Sequence, residues 1–172
     1  FDDGPSKETE KILDILKKRQ VKATFFSIGR DDAFSKKMYQ RIVKEGHTLG
    51  MHSYSHQYKE IYQSMDAFQA DYERISNCLT AATGIKPLYY RFPGGSTEVT
   101  EKLQMTDLDA YFNAQGASYF DWNVIAANNT TDDVSVNKMV DSVMNGVALY
   151  DTSIVLMYDS VDRKMTAKSL DS

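Results

Sequence analysis

Val21-Lys22-Ala23-Thr24-Phe25-Phe26-Ser27-Ile28, then Phe34 to Glu45, then His47-Thr48-Leu49-Gly50-Met51 is the stretch that decides the fold. The first run is rich in β-branched and aromatic residues and predicts a strand. The second places Met38, Ile42 and Val43 at helical spacing, with Gly46 behind them as a stop. The third predicts a short strand that delivers His52 at its C-terminal end. Strand, helix and strand in succession point to parallel pairing.

The same alternation continues on both sides. Ser6 to Gln20 follows Pro5 and carries Ile12, Leu13, Ile15 and Leu16 at helical spacing. Asp66 to Thr83 predicts the longest helix, with Phe68, Tyr72, Ile75 and Leu79 on one stripe and Gly84 as its stop. Leu88-Tyr89-Tyr90 and Ser118 to Val124 predict strands. Val134 to Val147 predicts a helix with Val136, Met139, Val140 and Val143 facing inward. Ile154 to Tyr158 is continuously apolar, as in strands buried on both faces. Asn128 to Asp133 is a polar loop. The pattern predicts a parallel sheet or an α/β barrel.

The 172 residues suit one domain with a sizeable core. Apolar residues make up 42% and charged residues 26%, an ordinary globular balance. A net charge of −4 with the two signs interspersed argues against a nucleic-acid partner. No apolar run in this window reaches the length that spans a bilayer. The single cysteine, Cys78, falls on an apolar helical stripe and reads as a buried, inert thiol. The chain opens inside a motif at Phe1 and closes in a helical stretch, so a single domain over 1–172, truncated at both ends, is expected.

The chemistry concentrates in a few residues. Phe1-Asp2-Asp3-Gly4-Pro5 puts adjacent carboxylates on a turn, and His52 and His56 stand four apart. One carboxylate and two imidazoles form a three-ligand set with an open coordination position, the pattern of a catalytic zinc-type site. The other carboxylate is left as a candidate general base. Each part has a plainer explanation, since Asp, Gly and Pro favour turns anyway. The chain holds only three histidines, however, and two of them make this pair. Arg91-Phe92-Pro93-Gly94-Gly95-Ser96 adds a cation and a backbone-rich turn. Together they point to a metal-assisted hydrolase.

These motifs resemble those of the polysaccharide deacetylase family, also called carbohydrate esterase family four or the NodB-homology domain. Phe1 to Pro5 matches its first motif, His52 to His56 its second and Arg91 to Gly95 its third. Asp121-Trp122-Asn123-Val124 and Ile154 to Asp159 are similar to its fourth and fifth. The resemblance implies an α/β fold, a distorted, incomplete (β/α)7-type barrel, with a divalent metal that is usually Zn2+. By the same resemblance Asp3, His52 and His56 ligate the metal and Asp2 is the general base. Arg91 pairs with Asp2, the Gly94 N–H stabilises the oxyanion, and Trp122 and Leu156 wall the acetyl pocket. The implied substrate is an N-acetylated or O-acetylated polysaccharide, first among them the N-acetylglucosamine of peptidoglycan, with an extracellular or cell-wall location.

Two positions depart from that pattern. Tyr158 stands where the family has the histidine that protonates the departing amine. Asn128 stands where an aspartate would tune that histidine. Tyr158 is thus a candidate weak acid, or a space-filling aromatic, at the catalytic rim.

Overall fold

The computed structural model describes residues 1–99, 102–126 and 134–172. The decisive stretch folds as expected. Strand β1 (Thr24–Ser27), helix α2 (Ala33–Lys44) and strand β2 (Thr48–Met51) follow helix α1 (Lys7–Arg19), and β1 pairs with β2 in parallel, Thr24 opposite Thr48. Capping fixes the helix starts. Ser6 accepts from Glu8 N and Thr9 closes a capping box, while Asp32 accepts from Ser35 N.

A single turn, α3 (Tyr58–Ile61), precedes the long helix α4 (Met65–Thr83), which ends on Gly84 at φ 76°. Then come β3 (Tyr89–Tyr90), α5 (Met105–Gln115), β4 (Ser118–Tyr119), β5 (Val124–Ile125), α6 (Val136–Val147), β6 (Val155–Leu156) and α7 (Lys164–Leu170). The order β1-β2-β3-β4 forms one parallel sheet, and β5 pairs with β6 in a second. Residues Phe1 to Gly4 join the two. Asp2 bridges Phe26 on one side and Tyr158 on the other, through Phe26 N to Phe1 O at 2.7 Å and Asp2 N to Met157 O at 3.0 Å. The result is a curved, parallel, incomplete barrel, with no strand pairing between β4 and β5 among the described residues.

The stripe read on α4 is the wall of the core. Phe68, Tyr72, Ile75 and Leu79 are all buried. Phe68 stacks on Phe92 with centroids 5.7 Å apart, and Tyr72 meets Phe112 edge-on at 5.6 Å. Such pairs contribute about 0.5–1.5 kcal/mol each beyond area burial, so this face anchors the strand that leads to Arg91.

Parts of that reading need correcting. Ser118 to Val124 is not one strand: the Phe120 and Asp121 carbonyls accept from Arg91 Nε (2.9 Å) and Nη2 (3.3 Å), so this stretch turns inward instead of continuing a ladder. Helix α5 escaped the sequence reading because only Leu108 and Phe112 are buried on it. Ile154 to Tyr158 is not buried on both faces. Ile154 is 39% exposed, and Ile154, Val155 and Met157 line an open cavity of about 670 Å³ at the N-terminal end of the strands. Of the four α6 residues expected to face inward, Met139 is buried and Val143 packs half-buried against its cluster, while Val136 and Val140 are only half-buried. Cys78 is half-buried; burial raises its pKa, which keeps the thiol protonated and inert. Among the described residues no helix is long and apolar enough to cross a membrane.

Candidate active site

The site forms where β1, β2, β3 and β6 reach their C-terminal ends, the rim on which α/β barrels build active sites. His52 is the first residue after β2, and its N–H donates to Ser27 O at 2.9 Å. The ring Nδ1 lies 2.8 Å from the carbonyl oxygen of Arg91. A carbonyl only accepts, so Nδ1 carries the proton and Nε2 is left with its lone pair facing the cavity.

The loop to His56 is held from two directions. Asp71 on α4 accepts from Tyr54 N (2.8 Å) and Ser55 N (2.9 Å), and Ser53 Oγ accepts from His56 N (2.9 Å). Ser53 and His56 sit at φ 70° and 54°, and Asp3 at φ 73°. Non-glycine residues in this left-handed region cost of order 1–3 kcal/mol each and persist only where their surroundings over-determine them. Three such residues cluster at one site.

Asp3 Oδ1 lies 3.3 Å from both His52 Nε2 and His56 Nε2. Among the described residues neither Asp3 Oδ1 nor His56 Nε2, both buried, finds a hydrogen-bond partner. Burial pushes the Asp3 carboxyl up, but the two imidazoles outweigh it and hold the group well below its ordinary range. Burial works against a charged His52, yet Asp2 and Asp3 together raise its pKa above the usual value. One carboxylate oxygen and two imidazole nitrogens, all within 4.8 Å of one another, make a set able to hold a metal ion. Converging buried lone pairs that lack a donor are what a cation would satisfy.

Asp2 is 2% exposed and stands beside this set without joining it. Its Oδ1 accepts from Arg91 Nη1 at 2.9 Å, and its Oδ2 is 4.0 Å from His52 Nε2. Arg91 spends its other donors on the Phe120 and Asp121 carbonyls and lies 4.2 Å over the Phe26 ring. The guanidinium is therefore fixed, and it fixes Asp2.

A cavity of about 260 Å³ opens on these groups, lined by Asp2, Asp3, His52, Tyr58, Gly94, Trp122, Tyr158 and Arg163. Gly94 and Gly95 take φ 80° and 91°, and a Cβ on Gly95 would crowd the Trp122 ring. Asp121 accepts from Ser96 N at 2.9 Å, tying the Gly-Gly turn to the Trp122 segment. Leu156 is 1% exposed and does not line this cavity. It lines another, mostly apolar cavity of about 30 Å³ whose lining shares Tyr158 and Arg163 with the site.

Tyr158 reaches the cavity with the Arg163 guanidinium 4.9 Å over its ring. Burial first, then the Asp3 and Asp2 charges, raise its pKa, so the phenol stays protonated. Burial and the Asp3 charge likewise push Tyr58 up to about 12, and its ring meets His56 edge-on at 5.4 Å. Sequence reasoning missed Tyr58, Asp71 and Arg163. Only Tyr58, two residues after His56, carried a positional hint. Asn128 falls outside the described residues.

This geometry has relatives. The Polysaccharide deacetylase family model matches residues 1–112. The catalytic domain of peptidoglycan N-acetylglucosamine deacetylase from Eubacterium rectale superposes with a TM-score of 0.87 at 36% identity, covering 99% of this chain and 79% of that one. A putative polysaccharide deacetylase of Bacillus subtilis, YheN, is 35% identical over 124 residues, 72% of this chain and 43% of its own length. A mutant of a family pseudoenzyme with restored enzymatic activity has a TM-score of 0.76 at 26% identity, over 99% of this chain and 57% of that one. The chain spans about half the length of the curated relatives it matches. The residues that converge on the rim begin inside the matched region, and on that match the chain belongs to the polysaccharide deacetylase family.

Proposed function

We propose that this domain removes acetyl groups from a polysaccharide by metal-dependent hydrolysis. The substrate we infer is the N-acetylglucosamine of peptidoglycan or a chitin-like glycan, met outside the cell or at the cell wall. The observation that carries the reading is the convergence of Asp3, His52 and His56 on one point, with Asp2 buried beside them and locked by Arg91. Asp3, His52 and His56 would hold a divalent cation, Zn2+ by its preference for imidazole and carboxylate ligands. Such an ion supplies Lewis acidity and makes water a nucleophile at neutral pH.

The chain's own residues do the rest. Asp2 takes a proton from the attacking water on Oδ2 while Oδ1 stays bonded to Arg91. The Gly94 N–H, on the turn lining the cavity, donates to the oxygen of the tetrahedral intermediate. Trp122 closes the cavity wall around the acetyl methyl. The leaving nitrogen needs a proton, and the candidate donors are Asp2, carrying the one it took, and Tyr158.

Tyr158 favours a second reading, an esterase acting on O-acetylated glycan. A phenol held above its ordinary pKa is a poor acid for an amine, whereas an alkoxide leaving group needs less help. A metal-retaining, carbohydrate-binding pseudoenzyme is the limiting form of that argument. Acetate release from chitooligosaccharides, peptidoglycan and acetylated xylan, each with zinc and with a chelator, decides among them. Release from the first two that a chelator stops supports the amide reading. Release from xylan alone moves it to the ester, and glycan binding without release makes the domain a pseudoenzyme.

A further inference from the structure

The buried Asp159 lies outside the cavity, yet it touches both sides of the Asp3 turn. Its Oδ1 accepts from Gly4 N at 2.9 Å, and its own N–H donates to Asp2 O at 2.9 Å. Asp3 is thus bracketed, one residue on either side, by bonds to the same aspartate. Asp159 is 1% exposed, and its second oxygen accepts from Thr9 Oγ1 at 2.6 Å, while its carbonyl accepts from Ser6 Oγ at 2.6 Å. These bonds tie the turn to the start of α1. The fit is close, since a Cβ on Gly4 would collide with the Asp159 carboxylate. Asp3, at φ 73°, sits in the left-handed region that costs a non-glycine residue energy, and the bonds from Asp159 on either side hold it there.

We propose that Asp159 is a positioning residue, whose carboxylate clamps the Asp2–Gly4 turn so that Asp3 meets His52 and His56 at ligand distance. The inference rests on the metal reading of those three residues. Outer groups that orient ligands typically change metal affinity by about 10–100-fold when removed. Asp159→Ala should therefore weaken zinc by roughly that factor. Asp159→Asn keeps an oxygen for Gly4 N and should stay within a few-fold of the native affinity. Thr9→Val removes the helix tie without touching the turn, and should lower the melting temperature without changing zinc affinity.

The test is zinc titration of the full chain and its variants against a competing chelator. Cobalt absorption spectra at saturating metal give a second readout. Native protein that binds no zinc refutes the metal reading itself. Native protein that binds one zinc, with Asp159→Ala binding within two-fold and showing the native cobalt spectrum, overturns the positioning role alone. A weakened Asp159→Ala with a shifted spectrum, restored by Asp159→Asn, supports it. Should Asp159→Ala not fold, Asp159→Glu decides. Its longer side chain must displace the Gly4 contact, so native zinc affinity in that variant counts against the proposal.

Discussion

His47 and His52 flank the same four-residue strand β2 and have opposite fates. At the N-terminal end, His47 Nδ1 accepts from Ala23 N at 3.2 Å, and its Nε2 is buried without a partner among the described residues. Burial, then the Lys22 charge, lower its pKa. At the C-terminal end, His52 donates through Nδ1, turns Nε2 toward two carboxylates, and has its pKa raised against burial. One end of the strand thus buries a histidine beside a lysine and keeps it neutral, and the other gathers charge. The difference lies in the partners that distant segments bring: the Phe1–Gly4 segment carries Asp2 and Asp3 only to the C-terminal rim.

The sharpest way to break the comparison is at the metal. His52→Ala with His56→Ala should abolish zinc retained after dialysis, whereas His47→Ala should leave one equivalent. Loss of zinc from the His47 variant, or its retention by the double variant, would exchange the roles of the two ends. The next effect in size is catalytic. Asp2→Asn should lower acetate release by about 10²–10⁴-fold, the contribution of a general base, with zinc content unchanged. Equal losses of metal and activity would make Asp2 a ligand instead.

What the sequence disclosed about the rim followed from how local its signals are. Asp2, Asp3, His52, His56 and Arg91 announce themselves by type and spacing within short motifs, and the structure gathers them. Asp71 carries no such signal, and Asp159, though it closes the fifth motif, shows nothing of its role there, because their work is done on backbone N–H groups 16 and 155 residues away. The break in Ser118 to Val124 was invisible for a related reason. Its residues have strand propensity, but Arg91, just past the end of β3, claims their carbonyls, and tertiary context overrides such propensity.

A gain of function probes the side of the rim that departs from the family. Tyr158→His together with Asn128→Asp should raise amide deacetylation by up to ~10²–10⁴-fold, the reach of a general acid. The same change should do far less for an activated aryl acetate, whose leaving group needs no proton. Flat amide turnover, with zinc and fold intact, would mean that Tyr158 occupies no vacant acid position and would favour the ester or pseudoenzyme reading.

The smallest effect concerns His47 and the pH dependence of stability in zinc-free protein. The folded His47 titrates below the ordinary value of 6.5, because burial and Lys22 disfavour its charged form. Above pH 6.5 both folded and unfolded chains carry it neutral, and its contribution is constant. As pH falls below 6.5 the unfolded chain takes up a proton that the folded chain resists, so stability is lost through that window. Protonation would also cost the bond from Ala23 N, since an imidazolium has no lone pair to accept it. His47→Asn keeps a side-chain acceptor but does not titrate. Urea unfolding of both proteins at pH 7.5, 6.5 and 5.5, with chelator present, cancels the histidines common to them. The native chain should lose stability relative to the variant on acidification. If instead it gains, His47 is charged in the fold, and the contrast between the two ends of β2 collapses.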